Sequence, residues 1–196
     1  QGKLPGNRQR VISSGQQQFA DRSIVNSTFT IDRDFGVFLN YSLMAGSGII
    51  NIKTAVSSGE GRNIPKGDAN LAYTGRLEYL PLGKFTHDGD YFEGDLEHEK
   101  TPKLSLAGGY SFNKGALRTG GQLGSTMNTG HDMYIAFADI VFKYQGWALS
   151  SEFMQRSTSG SLLVNLSDGT ASYIYGGIGF NTQLSYCFRN HIEIAG

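Results

Sequence analysis

The sequence lacks any long hydrophobic run, and only 39% of its 196 residues are hydrophobic. No stretch approaches the roughly 18 consecutive apolar residues of a membrane-spanning helix, so any crossing of a membrane would have to be made by strands. The chain also lacks net charge, with 17 basic and 17 acidic residues, which argues against a nucleic-acid-binding protein driven by overall charge. Its one cysteine, Cys187, excludes a disulfide within this sequence.

The sequence does have a period of two in its hydrophobicity. Segments of about ten residues alternate apolar with polar side chains, which gives each strand one apolar and one mixed face. Such a strand suits a half-buried sheet in water or a barrel wall in lipid. The apolar series begin at Phe35, Ile50, Tyr73, Leu104, Tyr134, Trp147 and Ile174.

Aromatic residues lie mainly at the ends of these segments, in two groups. One group lies beside one set of connections and the other beside the opposite set: Tyr41, Tyr79, Tyr144, Trp147 and Tyr186, then Phe35, Tyr73, Phe112, Tyr134 and Phe153. Two such bands are typical of barrels whose aromatic rings lie at both membrane interfaces. The alternative is a soluble β-sandwich with aromatic residues scattered at strand ends. We therefore predict an all-β fold, an antiparallel transmembrane β-barrel.

The connections between the segments alternate in length. Short turns are predicted at 45–48, 145–146 and 187–190, and long, polar, glycine-rich loops at 57–71, 113–130 and 157–171. Outer-membrane barrels have short periplasmic turns and longer external loops, so we expect the same orientation here.

Residues 83–102 are an exception, because they should be periplasmic by parity and yet are long and acidic. Clustered carboxylates suit calcium, but the spacing of an EF-hand is missing. We therefore predict a solvated acidic loop over this segment.

The two ends of the chain predict an incomplete barrel. The first residues carry no signal-peptide pattern, and residues 191–195 resemble a strand that stops at Gly196. Seven full strands and two partial ones do not make the closed, even-numbered wall that lipid requires. We expect 1–196 to be a single partial barrel domain, the middle portion of a larger barrel.

The side chains opposite the apolar faces are predicted to line the interior of the barrel. The charged ones are Lys53, Arg76, Glu78, Asp139, Lys143, Glu152 and Arg156. Both signs suit a water-filled channel, whereas each Arg or Lys facing lipid at the midplane would cost roughly 2 to 4 kcal/mol. Alternatively, Arg76 with Glu78, or Glu152 with Arg156, form salt bridges that stiffen the wall.

Residues 5–34 form the longest segment without clear strand periodicity. Long porin loops often fold into the lumen and narrow it, and arginine binds oxyanions through its planar donors. We predict a pore-constricting loop whose arginines contact permeating anions; they are Arg8, Arg10, Arg22 and Arg33. Alternatively, Arg22 pairs with Asp21 or Glu78 and only anchors the loop.

Several short motifs, in order along most of the chain, resemble the phosphate-selective porin family, of the porin O and P type. They lie at 2–10, 21–26, 32–37, 80–83, 89–91, 93–96 and 100–104. The resemblance implies a barrel of about sixteen strands, usually trimeric, in the outer membrane of a Gram-negative, Bacteroidota-like bacterium. It also implies passage of small hydrophilic or anionic solutes such as phosphate. This sequence has no strand with arginine at successive inward positions, which favours a general channel.

Catalytic motifs are not found in the sequence. Its four histidines lie on separate loops or segment ends without metal-site spacing, and no G-x-S-x-G motif is present. We therefore predict no catalytic residue, metal or cofactor. A lipase built on a similar barrel is an alternative that we favour less than the porin. The partners expected are outer-membrane lipid, small solutes and further copies in a homotrimer, without nucleic acid. A non-conducting scaffold barrel that docks other envelope proteins is the alternative function.

Overall fold

The computed structural model describes residues 1–62, 70–190 and 192–196. The helices are α1 (Arg8–Val11) and α2 (Ile24–Phe29), with 3₁₀ turns at Ser14–Gln16 and Thr86–Tyr91. None of the helices in these ranges is long and apolar enough to span a membrane. The strands are β1 (Gly2–Lys3), β2 (Arg33–Asp34), β3 (Gly36–Ala45), β4 (Gly48–Ser57), β5 (Ala72–Leu80), β6 (Lys103–Arg118), β7 (Thr126–Tyr144), β8 (Trp147–Thr158), β9 (Leu163–Asn165), β10 (Ala171–Tyr173), β11 (Gly177–Cys187) and β12 (Glu193–Ala195).

One antiparallel sheet of eight strands dominates the structure. Its order is β12-β11-β8-β7-β6-β5-β4-β3. Strands of this sheet that follow one another along the chain are therefore also paired with one another. The small pairs β1-β2 and β9-β10 lie outside this sheet. The predicted all-β, antiparallel fold is therefore confirmed. Within the described residues β3 and β12 do not pair with each other, so the sheet is open rather than closed.

The segments predicted from the period of two are confirmed as β3 to β8 and β11, and the last partial strand as β12. The short turns are also confirmed. Gln145 and Gly146 connect β7 to β8 with φ of 49° and 93°. Positive φ at both positions matches the twist of the strands they join, which permits so short a connection.

The predicted long loops were partly wrong. Pairing between β6 and β7 continues past register shifts near Asn113 and Ala116 as far as Arg118 and Thr126, so much of 113–130 is strand. Likewise, 157–171 contains the end of β8, all of β9 and the start of β10. The apolar alternation ends before the hydrogen-bonded ladder does, because backbone pairing does not require apolar side chains. Of the predicted loop at 57–71, residues 63–69 lie outside the described residues.

The two faces of the sheet differ in polarity and exposure. Leu77 in the middle of β5 is 52% exposed, whereas its neighbour Arg76 is 2% exposed. The same alternation of exposed apolar and buried polar side chains runs through β6 and β11. In a soluble β-sandwich the apolar faces are the buried ones. We call the exposed side the apolar face and the buried side the polar face.

Aromatic rings pack across strands at both ends of the apolar face. At one end, the ring of Phe112 lies 6.4 Å from that of Tyr73 and 5.1 Å from that of Tyr134, between ring centroids. At the other end, the rings of Trp147 and Tyr186 are 4.8 Å apart. The two aromatic groups predicted from the sequence thus include real cross-strand clusters, separated by aliphatic residues.

Candidate functional site

Two segments without long strands cover the polar face. We call residues 1–35 the N-terminal segment and residues 83–102 the acidic segment. Apolar side chains hold part of the N-terminal segment against the sheet, in one buried cluster of Leu4, Val25, Phe29, Ile31, Ala55, Ile135, Phe137 and Met154. The predicted loop at 5–34 therefore packs on the polar face of the sheet.

Asp34 fastens the end of the N-terminal segment to the connection after β4. Its carboxylate accepts hydrogen bonds from Ser58 Oγ at 2.5 Å and from the backbone N–H of Gly59 at 2.6 Å and Gly61 at 3.2 Å. Both glycines have φ in the left-handed region, where a side chain would be strained. This buried clamp requires an acceptor at position 34.

The acidic segment is folded onto the sheet, so the prediction of a solvated loop was wrong for four of its carboxylates: Asp90, Glu93, Asp95 and Glu99 are buried. Asp95 accepts from the N–H of Gly146 at 2.7 Å, and Glu99 accepts from the N–H of Thr86 at 2.6 Å. The physical reason is that backbone donors of a packed loop need acceptors once they leave water. The described residues contain no group of three or more His, Cys, Asp or Glu placed to hold a metal ion.

The centre of the polar face holds a buried charged cluster of Arg8, Arg76, Glu78 and Asp139. Arg8 Nε lies 2.8 Å from Asp139 Oδ1, and Arg76 Nη1 lies 2.7 Å from Asp139 Oδ2. Arg76 Nε also contacts Glu78 Oε1 at 2.7 Å. These pairs join the N-terminal segment to β5 and β7. The contact between Arg76 and Glu78 is the salt bridge predicted from the sequence as an alternative.

Lys53 and Tyr91 extend this cluster towards β4 and the acidic segment. Lys53 Nζ lies 2.8 Å from Glu78 Oε2, and the Tyr91 hydroxyl donates to Glu78 Oε1 at 2.9 Å. Burial and the nearby Glu78 carboxylate both raise the pKa of Tyr91, so its hydroxyl stays protonated. Burial is the strongest influence on Arg8 and favours a lower pKa, but the Asp139 and Glu78 carboxylates and Tyr91 together outweigh it, and the pKa of Arg8 is raised. Arg8 therefore remains a cation inside the cluster.

Two further residues of the sheet hold the N-terminal and acidic segments against it by hydrogen bonds. Glu152 accepts from the backbone N–H of Gln9 at 3.1 Å and from the side chain of Asn7 at 3.3 Å. Lys143 donates to the carbonyl of Gly89 at 2.7 Å and also to that of Gly94.

The predicted pair of Glu152 with Arg156 is not formed between these described residues. Four residues of strand place them about 13 Å apart along one face, which is beyond contact. Arg156 instead lies near α2, with its guanidinium carbon 5.5 Å from the centroid of the Phe29 ring.

The other predicted arginines make contacts within the N-terminal segment or face outwards. Arg22 Nε donates to the carbonyl of Gln9 at 2.9 Å, rather than pairing with Asp21 or Glu78. Arg10 forms an ion pair with Asp32, which also lies 3.3 Å from Arg62. Arg33 is exposed. The structure thus brings Arg8 to the central charged cluster and leaves the other three arginines outside it.

Open space remains on the polar face beside β3. A groove of about 690 Å³ lies between β3, β4 and the acidic segment. Uncharged polar groups of Asn40, Ser42 and Asn51 line the groove together with Lys53 and Tyr91. The groove can admit a small hydrophilic molecule, which would meet amide, hydroxyl, ammonium and carboxylate groups, the last from Asp88 and Asp90.

Sequence reasoning missed Asn7, Asp34 and Tyr91, which position the segments and the cluster. Asn7 and Tyr91 lie outside the periodic strands and Asp34 just before them, so alternation carried no signal for these three residues.

No family model, curated protein or solved structure matches this chain.

Proposed function

We propose that this chain is part of a porin, a β-barrel of the bacterial outer membrane that lets small hydrophilic solutes, including anions such as phosphate, diffuse passively. The observation that carries the proposal is the contrast between the faces of the sheet: the exposed face is apolar, whereas the buried face carries the charged side chains together with apolar ones such as Phe137 and Met154. Lipid accounts for the exposed leucines and aromatic bands, and a lined lumen accounts for the buried charges. The motifs that resemble phosphate-selective porins of Bacteroidota-like bacteria point to the same function.

The open sheet edges set a requirement for this proposal. In hydrocarbon, unpaired backbone groups along β3 and β12 would each cost several kcal/mol. The sheet in the membrane must therefore be closed by pairing with further strands, as in a barrel of about sixteen. Trimer formation, as in the family that the motifs resemble, belongs to the same proposal.

The solute path in this proposal follows the groove beside β3. Lys53 lines the groove and pairs with Glu78, but its side chain is 26% exposed, whereas Arg76 is buried in its ion pairs. Lys53 is therefore the wall cation placed to meet an anion, and the central cluster instead anchors the segments that narrow the lumen. Arg10, Arg22 and Arg33 remain proposed anion contacts of the N-terminal segment.

A scaffold barrel is the second candidate, and one observation favours it. Arg8, Arg76, Glu78 and Asp139 are all buried beneath the covering segments, so the middle of the polar face is closed to solutes. A barrel filled in this way would present its loops to other envelope proteins without conducting.

Conductance of the full-length protein in planar bilayers separates these functions. We expect stepwise currents, with a reversal potential in a salt gradient that reports the preference for anions. Lys53→Gln should lower the ratio of anion to cation permeability, because it removes a groove cation and frees Glu78. Lys114→Gln changes an exposed lysine away from the groove and serves as the matched control. Absence of current from correctly inserted protein would favour the scaffold, and hydrolysis of the lipid would favour an enzyme.

The single tryptophan tests the position of the aromatic band. Trp147 is half-exposed at the short-turn end of the apolar face, so its fluorescence should be quenched more by lipids brominated near the headgroup than by lipids brominated at the chain end. A Leu77→Trp variant in a Trp147→Phe background should show the opposite depth dependence, since Leu77 lies on the apolar face in the middle of β5. Equal quenching at both depths for both proteins would contradict the proposed placement in the membrane.

A further inference from the structure

A pocket of about 390 Å³ lies between α2, the tip of the β6-β7 hairpin and β8. Its residues are distinct from those that line the groove beside β3. We propose that this pocket binds an oxyanion, held by the guanidinium of Arg156 and the hydroxyl of Thr30. The inference goes beyond the proposed porin function and does not depend on conduction.

Arg156 is a buried cation without a counter-charge among the described residues. The residue is 3% exposed, and its Nε is buried without a hydrogen-bond partner. In the part of the chain that the structure describes, no carboxylate forms an ion pair with it, and its guanidinium lies over the face of the Phe29 ring. A buried charge that lacks a partner is costly by several kcal/mol, so such a group is expected to have a ligand.

Thr30 supplies a second unsatisfied polar atom to the same pocket. It ends α2, and its Oγ1 is buried without a hydrogen-bond partner. The hydroxyl of Thr28, on the same helix, already donates to the carbonyl of Ile24 at 2.7 Å. Buried polar atoms without partners are uncommon, so two that line one pocket point to a missing acceptor.

The chemistry of the two groups selects an oxyanion. A guanidinium offers planar N–H donors that match the oxygens of a carboxylate, sulfate or phosphate group, and the threonine hydroxyl adds another donor. Ile24, Leu123 and Tyr175 also line the pocket, whose volume falls in the range of small-molecule sites. The oxyanion can therefore be a free inorganic ion or the charged group of a small organic molecule.

Calorimetric titration of the detergent-solubilised full-length protein tests the site, with inorganic phosphate and phenyl phosphate as probes at constant ionic strength. We expect both probes to bind, with a tighter phenyl ester indicating an organic ligand and equal affinities indicating a free ion. Arg156→Gln and Thr30→Val should each weaken binding, the first by about tenfold to a hundredfold, because each removes donors to a charged ligand. Thr101→Val, at an exposed threonine outside the pocket, is the matched control and should bind as the wild type does.

The inference is overturned if neither probe binds the wild type, or if both variants bind as tightly as the control. Arg156→Lys keeps the charge but loses the planar donors, so it should bind more weakly even if Arg156→Gln fails to fold. Thr30→Val removes the hydroxyl without changing the shape of the side chain, so it also tests the site if Arg156→Gln fails to fold. Currents without probe binding would refute this site and leave the porin function standing, and probe binding without currents would do the reverse.

Discussion

Replacing Asp139 by Asn is expected to lower the free energy of unfolding by about 3 to 5 kcal/mol. Asp139 is buried and contacts Arg8 at 2.8 Å and both terminal nitrogens of Arg76, at 2.7 and 3.0 Å. Asparagine has nearly the same shape but no charge, so the two buried guanidinium groups would have to share Glu78 with Lys53, and Arg8 would otherwise have only Asp90 at 4.0 Å. The cost comes mainly from leaving buried charge without its counter-ion, because an intact buried pair contributes little by itself.

Urea unfolding of the full-length protein in lipid vesicles, followed by tryptophan fluorescence, measures this effect. Asp88→Asn is the matched control, because Asp88 is exposed and asparagine tolerates its φ of 53°. We expect the control to change the free energy of unfolding by less than about 0.5 kcal/mol. If Asp139→Asn were as mild as the control, the cluster would not hold the N-terminal segment on the sheet.

The strands and their two faces could be predicted from the sequence because both follow from a local rule. Alternation along β5 places Arg76 and Glu78 on one face and Leu77 on the other, which needs no knowledge of distant residues. The ends of β6 and β7 could not be predicted in this way. Beyond the apolar band, pairing continues through polar residues that carry no alternation.

The charged cluster could be predicted only in part, because its members are far apart along the chain. Arg8 and Asp139 are separated by 131 residues, and only the folding of the N-terminal segment brings them together. The acidic segment shows the same limit from the other side. The acidic composition of this segment is typical of a solvated loop. The burial of its carboxylates depends on backbone donors such as the N–H of Gly146, which is distant along the chain, so the sequence alone does not show that the two meet.

The second large effect is expected on the apolar face, where Leu77→Arg should lower the free energy of unfolding by about 2 to 4 kcal/mol in lipid vesicles. Leu77 lies in the middle of β5 and is 52% exposed, so nothing in the chain prevents an arginine from fitting there. The penalty would come from placing a guanidinium in hydrocarbon. In a water-soluble protein the same change at an exposed leucine would fall within about 0.5 kcal/mol.

Leu82→Arg is the matched control for this prediction. Leu82 is 47% exposed, close to the value for Leu77, but it lies beyond the end of β5 in the connection to β6. At the membrane interface an arginine costs only about 0 to 1 kcal/mol, so the control should remain close to the wild type. Urea unfolding and refolding of both variants in vesicles gives the comparison. Equal, small effects of the two substitutions would mean that the apolar face does not lie in lipid, and the porin and scaffold barrels would both be wrong.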